Sequence, residues 1–128
     1  MTLEGRFAKA LRKRAKKGLR GYPVATIAFY GPDDSRASKV AVGIILKDGG
    51  DAEILERWYS DTTDVRIDTD INEQILKFIR GHEVASVALV DRIIGCPHEE
   101  GTDYPSGEKC PKCPFWVARD RWSGDIVY

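Results

Sequence analysis

The chain has 128 residues and a formal net charge of zero, with 42% hydrophobic and 31% charged residues. That size and balance fit one globular domain, and they exclude two sizeable domains or wholesale disorder. The longest apolar run, residues 40–46, is about seven residues against the roughly twenty a membrane helix needs, so no membrane span is expected.

The neutral total hides a split. Residues 1–21 carry eight Lys or Arg against the single acid Glu4, giving +7, while the remainder carries 12 basic against 19 acidic groups, giving −7. A basic arm on an acidic body is the expectation, and residues 1–21 are set apart on that ground. No charged n-region, apolar h-region and cleavage site follow one another at the start, so a cytoplasmic protein without a secretory signal is expected.

Leu3, Phe7, Leu11, Ala15 and Leu19 recur every four residues, which predicts a helix with a narrow apolar stripe and cations elsewhere. Gly18 or Gly21 can end it, and Pro23 prevents its simple continuation. Residues 24–30 (VATIAFY) and 39–46 (KVAVGIIL) are β-rich runs around the turn-forming GPDDSRAS, an antiparallel hairpin. In ILERWYS, Ile54, Glu56 and Trp58 alternate with Leu55, Arg57 and Tyr59, as in a strand with one exposed face. The segment at 59–64 (YSDTTD) reads as a polar loop.

Asp70 and Glu73 fit a capping box opening a second helix, with Ile71, Ile75, Leu76 and Ile79 inside, Gly81 at its end and His82 as a cap residue. Residues 84–90 (VASVALV) lack polar alternation and predict a strand covered on both faces. The expected class is α/β (α+β): a mixed sheet of about four strands in the order α-β-β-β-α-β, over a core of residues 22–95. The strand–helix–strand portion implies a right-handed parallel crossover. The order also describes the start of a ribonuclease-H-like sheet. Nuclease chemistry is not expected with it, because the first strand bears no carboxylate, although Asp91 ends the last strand and Glu73 sits on the helix.

All three cysteines and one of two histidines fall in residues 96–114, CPHEEGTDYPSGEKCPKCP. An odd number of cysteines in a reducing compartment makes a disulfide the weaker explanation. Cys110 and Cys113 form a CxxC, and Cys96 with His98 adds two donors upstream, completing a Cys3His set of the kind zinc prefers. Lys109 and Lys112 would offset the negative charge of three thiolates and favour their ionisation. Pro97, Pro105, Pro111 and Pro114 restrict the backbone, which lowers the entropy lost when the loop closes. A zinc-stapled loop over residues 96–128, packed on the core, is therefore expected, with structural zinc. Zinc-ribbon-like knuckles usually place Gly after the second Cys, whereas Pro114 stands here, so the usual N–H···S pattern is not assured.

His98-Glu99-Glu100 followed by CxxC resembles the zinc deaminase signature, which implies His98, Cys110 and Cys113 as ligands and Glu100 as acid/base. Only nine residues separate Glu100 from Cys110, too few for the intervening helix and strand of deaminases, and Lys109 replaces their proline. With Cys96 as a fourth ligand no position remains for water. The segment IIGCPHEEGTDYPSGEKCPKCPFW, with YPVATIAFYGPDD upstream, resembles a set of short, uncharacterised bacterial proteins over most of residues 22–123. That resemblance implies the metal site and the boundaries, and no reaction.

Phe115 and Trp116 are expected to pack the metal loop onto the sheet. Trp122, with Arg119 and Arg121, is the alternative binding surface, since aromatic and Arg side chains anchor bases and interfaces. Two main functional classes follow. In the first, a binding or adaptor module uses the cations of residues 6–20 (Arg6, Lys9, Arg12, Lys13, Arg14, Lys16, Lys17, Arg20) on RNA, the ribosome or an acidic protein surface. In the second, a zinc hydrolase or deaminase uses Glu100 or Glu99. A third, redox sensing through Cys110 and Cys113, would require release of the metal by mild oxidant.

Overall fold

The computed structural model describes residues 3–99, 101–108 and 110–116, with side chains for all of these except 3–6, 8 and 91. Its elements are α1 (Leu3–Lys16), β1 (Val24–Tyr30), β2 (Lys39–Ile45), β3 (Ala52–Tyr59), α2 (Thr69–Gly81) and β4 (Ser86–Ile93), followed by a short 3-10 helix at Pro114–Trp116. The strands form one sheet in the order β3-β2-β1-β4. β1 runs antiparallel to β2, from Val24 opposite Ile45 to Tyr30 opposite Lys39. β2 is antiparallel to β3, and β1 is parallel to β4, with Val24 opposite Ser86. This is the mixed four-stranded α+β sheet expected from the sequence.

Strand alternation divides the sheet into two faces. Ala25, Ile27, Phe29, Val40, Val42 and Ile44 point to one of them and join Ile71, Ile75, Leu76 and Ile79 of α2 in a single core. Leu11 of α1 belongs to the same core, with Phe7, Ala10 and Ala15 packed against it, so the basic helix is docked. Leu19 departs from the stripe and is 72% exposed. The helix ends at Lys16, and Gly18, at φ 72°, turns the chain away before Leu19 can reach the core.

Helix α2 starts two residues ahead of the expected capping box. Asp68, in extended backbone, is its N-cap, with Oδ1 accepting from the Ile71 N–H at 3.0 Å. Asp70 lies within the first turn, and Glu73 instead pairs with Lys77 at 3.4 Å. Buried Asn72 donates to the carbonyls of Val65 and Asp68, fixing the chain's entry into the helix. At the other end Gly81 is the last helical residue and His82 is the C-cap. The positive φ that terminates the helix is carried by Glu83, at 52°. In β4, Val87 is buried and Ala88 is exposed, while Ser86 on the Ala88 side is buried and Val90 half-buried, so the second face is covered only in part.

The open face of the sheet at the Tyr30–Lys39 end is where the metal loop arrives. Ile94 N–H donates to Phe29 O at 3.0 Å and Gly31 N–H to Gly95 O at 2.9 Å, so the end of β1 carries the start of the loop. A Cβ at Gly31 would collide with the Arg36 carbonyl, which makes glycine a requirement of this crossing point.

Candidate metal centre

Cys96 lies three residues beyond the end of β4, where Gly95 is held to Gly31. Pro97 turns the chain, and the His98 N–H donates back to the Cys96 sulfur at 3.2 Å. The excursion between the two ligand pairs is closed by local bonds: Asp103 N–H to Glu99 O at 2.7 Å, and Glu99 N–H to Asp103 Oδ2 at 2.7 Å. Gly101 and Gly107 take the left-handed conformation there, at φ 82° and 85°. Cys113 leads directly into the 3-10 helix, whose first residue is Pro114. Proline suits that place because the first N–H of a helical turn has no internal partner.

The ligand atoms of Cys96, His98, Cys110 and Cys113 all lie within 4.8 Å of one another. His98 Nδ1 is 3.2 Å from Cys96 Sγ, 3.4 Å from Cys110 Sγ and 3.5 Å from Cys113 Sγ. One imidazole nitrogen has a single proton or a single lone pair, so three such neighbours are not three hydrogen bonds. A tetrahedral centre with metal–sulfur and metal–nitrogen bonds near 2.3 and 2.0 Å separates nitrogen from sulfur by about 3.5 Å. The donor set and its spacing thus fit a metal ion, with Nδ1 as the nitrogen donor. The three cysteines are buried and unpaired by disulfide.

The thiols are unequal. Burial, reinforced by the neighbouring sulfurs, pushes Cys96 far up, and burial also raises Cys113. Burial opposes ionisation at Cys110 as well, but the backbone N–H groups of Lys112 and Cys113 and the other two thiols outweigh it and hold this thiol below its ordinary range. Three buried thiolates repel one another, and a divalent cation among them is what allows all three to ionise together.

Glu99, one of the two candidate acid/base groups, has its carboxylate committed elsewhere. Lys39 Nζ donates to Oε2 at 2.9 Å, and Arg57 donates through Nε at 2.7 Å and through its terminal nitrogen to Oε1 at 2.8 Å. Lys39 first, and then Arg57, hold the Glu99 carboxyl below the usual range against burial, which acts to raise it. Lys39 is only 3% exposed and also donates to Pro97 O at 3.0 Å, between two ligand residues. It ties the metal loop to the open face of the sheet. Trp116 makes a second tie, donating from Nε1 to Gly31 O at 2.8 Å and packing with both the main core and the cysteine cluster. Phe115 meets Trp116 edge to face. Glu100, Lys109, Arg119, Arg121 and Trp122 lie outside the described residues.

Lys39, Arg57 and Tyr104 were not marked by sequence reasoning. Tyr104 is buried with the three cysteines. Lys39 had one signal, a lone cation opening an otherwise apolar strand. Of the basic residues at 6–20, Lys9, Lys13, Lys16, Lys17 and Arg20 are exposed, Arg12 and Arg14 are half-buried, and the side chain of Arg6 lies outside the description. Arg14 donates to Val84 O at 3.1 Å. No family model, curated protein or solved structure matches the chain.

Proposed function

We propose that this chain is a zinc-stapled binding module, with zinc in a structural role and a docked basic helix that contacts nucleic acid. The observation that carries the reading is the tetrad. Four soft donors converge on one point, so a metal held there has four protein ligands and no coordination position for a reacting water. Three sulfurs and one imidazole favour zinc among the available divalent ions. The deaminase alternative draws no support from Glu99, whose oxygens are held by Lys39 and Arg57.

The nucleic-acid part rests on the concentration of positive charge at 6–20 and on the docking of α1 through Leu11, which holds those cations on a fixed scaffold. Cytoplasmic residence and kinship with the short bacterial proteins sharing the CPxCPFW ending belong to the same proposal.

Protein purified without added metal is expected to carry one zinc per chain by elemental analysis. Cys96→Ser should abolish retention, and retention by that variant with gain of an exchangeable water would overturn the structural assignment. Binding to RNA should weaken steeply with salt, by a log–log slope of about 0.7–0.9 per phosphate neutralised. Deleting residues 1–21 is a poor test because it strips Leu11 from the core; charge reversal at the exposed Lys9, Lys13 and Lys16 leaves Leu11 in place.

A further inference from the structure

The chain between α1 and β1 folds back over the start of β4. Ser86, 5% exposed, accepts from the Arg20 N–H at 2.6 Å and donates to Gly21 O at 2.8 Å. This fixes the Arg20 backbone beside the last turn of α1, and a cleft of about 210 Å³ forms there, lined by Arg14, Lys17 and Arg20 over Ala85 and Val87. Three cations thus converge on one opening. Among the described residues none of the three has a carboxylate within ion-pair distance: Arg14 and Arg20 are oriented by the carbonyls of Val84 and Lys17. Like charges gathered without a counter-ion repel, and an anion placed among them relieves that repulsion.

Val87 also lines a second hollow, of about 340 Å³, whose walls are mostly apolar, with Ala15, Leu19, Val24, Ala88 and Leu89 beside the single polar side chain of Ser86. Leu19, 72% exposed, stands over it. A cationic seat joined to an apolar hollow matches a ligand with an anionic group on one side and a flat apolar surface on the other.

We infer that the junction of α1 and β4 seats one nucleotide of a single-stranded nucleic acid, its backbone phosphate among Arg14, Lys17 and Arg20 and its base against Leu19, Ala88 and Leu89. The inference rests on the reading of α1 as a nucleic-acid contact and narrows it to three of the eight cations. It also selects the strand form. A duplex keeps its bases stacked inside and offers this site only phosphates, whereas a single strand offers both halves of the ligand.

The test uses the full chain with its metal, a fluorescent twelve-nucleotide single strand and the matching duplex, at low salt. Lys17→Glu is expected to weaken single-strand binding at least about tenfold, and Lys13→Glu, with the same change in net charge one turn earlier, within α1 and outside the cleft, less than about threefold. Leu19→Ser should cost the single strand about fivefold and leave duplex binding unchanged. Neither Lys17 nor Leu19 is buried, so circular dichroism should report an intact fold in each variant. Equal losses in Lys13→Glu and Lys17→Glu would overturn the seat and leave α1 as a diffuse contact. Duplex bound as tightly as single strand, with Leu19→Ser silent, would overturn the base assignment. No binding by the unaltered protein would overturn the underlying reading together with the seat.

Discussion

From Ala25 to Ile79 the buried side chains are mostly isoleucine, valine, leucine, phenylalanine and alanine, with hydrogen-bonded Asn72 and Lys39 the polar exceptions, and Ile27, Ile44, Ile75 and Ile79 lie at or below 1% exposure. From Cys96 to Cys113 they are three cysteines and Tyr104. The first set can form a core by removing apolar area from water, at roughly 25 cal/mol per Å². The second cannot, because its connecting residues are Glu, Gly, Thr, Asp, Ser and Lys. Bonds to a metal at the tetrad would supply the order that burial does not. The two regions therefore respond to different perturbations, and the contacts between them, through Lys39 and Trp116, are where they communicate.

The strongest way to test that division is to remove the metal. A chelator, or Cys113→Ser, should release the loop while leaving the sheet's circular dichroism in place. The free energy at stake is on the order of 10 kcal/mol, the scale of structural zinc binding in small peptides. The expected readout is new protease cleavage after Lys112, with no cleavage inside residues 24–45. If the sheet melts with the loop, the two regions form one cooperative unit and the comparison fails. The converse perturbation is Ile75→Ala, which opens a cavity under the sheet and should cost about 2–5 kcal/mol. Its thermal midpoint should fall, while the folded protein at low temperature still carries its full metal complement.

What the sequence disclosed follows the same division. The metal tetrad was legible because its ligands come in two local pairs, CxH and CxxC, whose spacing alone brings donors together. The strand and helix order was legible because period two and period four show in the apolar residues of 24–45 and 71–79. The ties between the regions were not. Lys39 reaches Glu99 across 60 positions, Arg57 reaches it across 42, and Trp116 reaches Gly31 across 85. No local pattern encodes such pairings; they follow from strand order. The missed helix start has a smaller cause. Asp68 and Asp70 are equally good caps by residue type, and the choice is made by Thr63 and Asn72, which hold Asp68 in extended backbone at the turn.

A variant between the two regions sharpens the comparison. Lys39→Met keeps the aliphatic bulk under the loop but removes the donor to Pro97 O and Glu99. Loss of a buried charged donor costs about 1–3 kcal/mol, and Arg57 with solvent can still satisfy the half-exposed carboxylate. The loop should loosen without losing its ligands. Faster extraction of the metal by chelator, at unchanged stoichiometry and a nearly unchanged thermal midpoint of the body, is the expected pattern. A midpoint shift as large as that of Ile75→Ala would show Lys39 to be a member of the main core.

The smallest effect belongs wholly to the body and comes with a pH signature. The Thr63 hydroxyl donates to Asp68 Oδ2 at 2.6 Å and the Ile71 N–H to Oδ1 at 3.0 Å, and these bonds, the first above all, hold the Asp68 carboxyl below the usual carboxylate range. A carboxyl depressed in the folded state binds protons more weakly there than in the unfolded chain, so protonation favours unfolding. The stabilisation it contributes is complete above the ordinary aspartate range and is lost as the pH falls through that range to the lowered folded value. Asp68→Ala should cost about 1 kcal/mol at neutral pH, and Asp68→Asn, which retains a capping oxygen, only a few tenths. In acid both variants should converge on the unaltered protein's stability, because its own cap is then protonated. Measured on protein stripped of metal, so that proton competition at the thiols does not enter, the difference between Asp68→Ala and the unaltered chain should shrink steadily below about pH 4. A difference that stays constant into acid would mean that the capping bond does not depend on the charge.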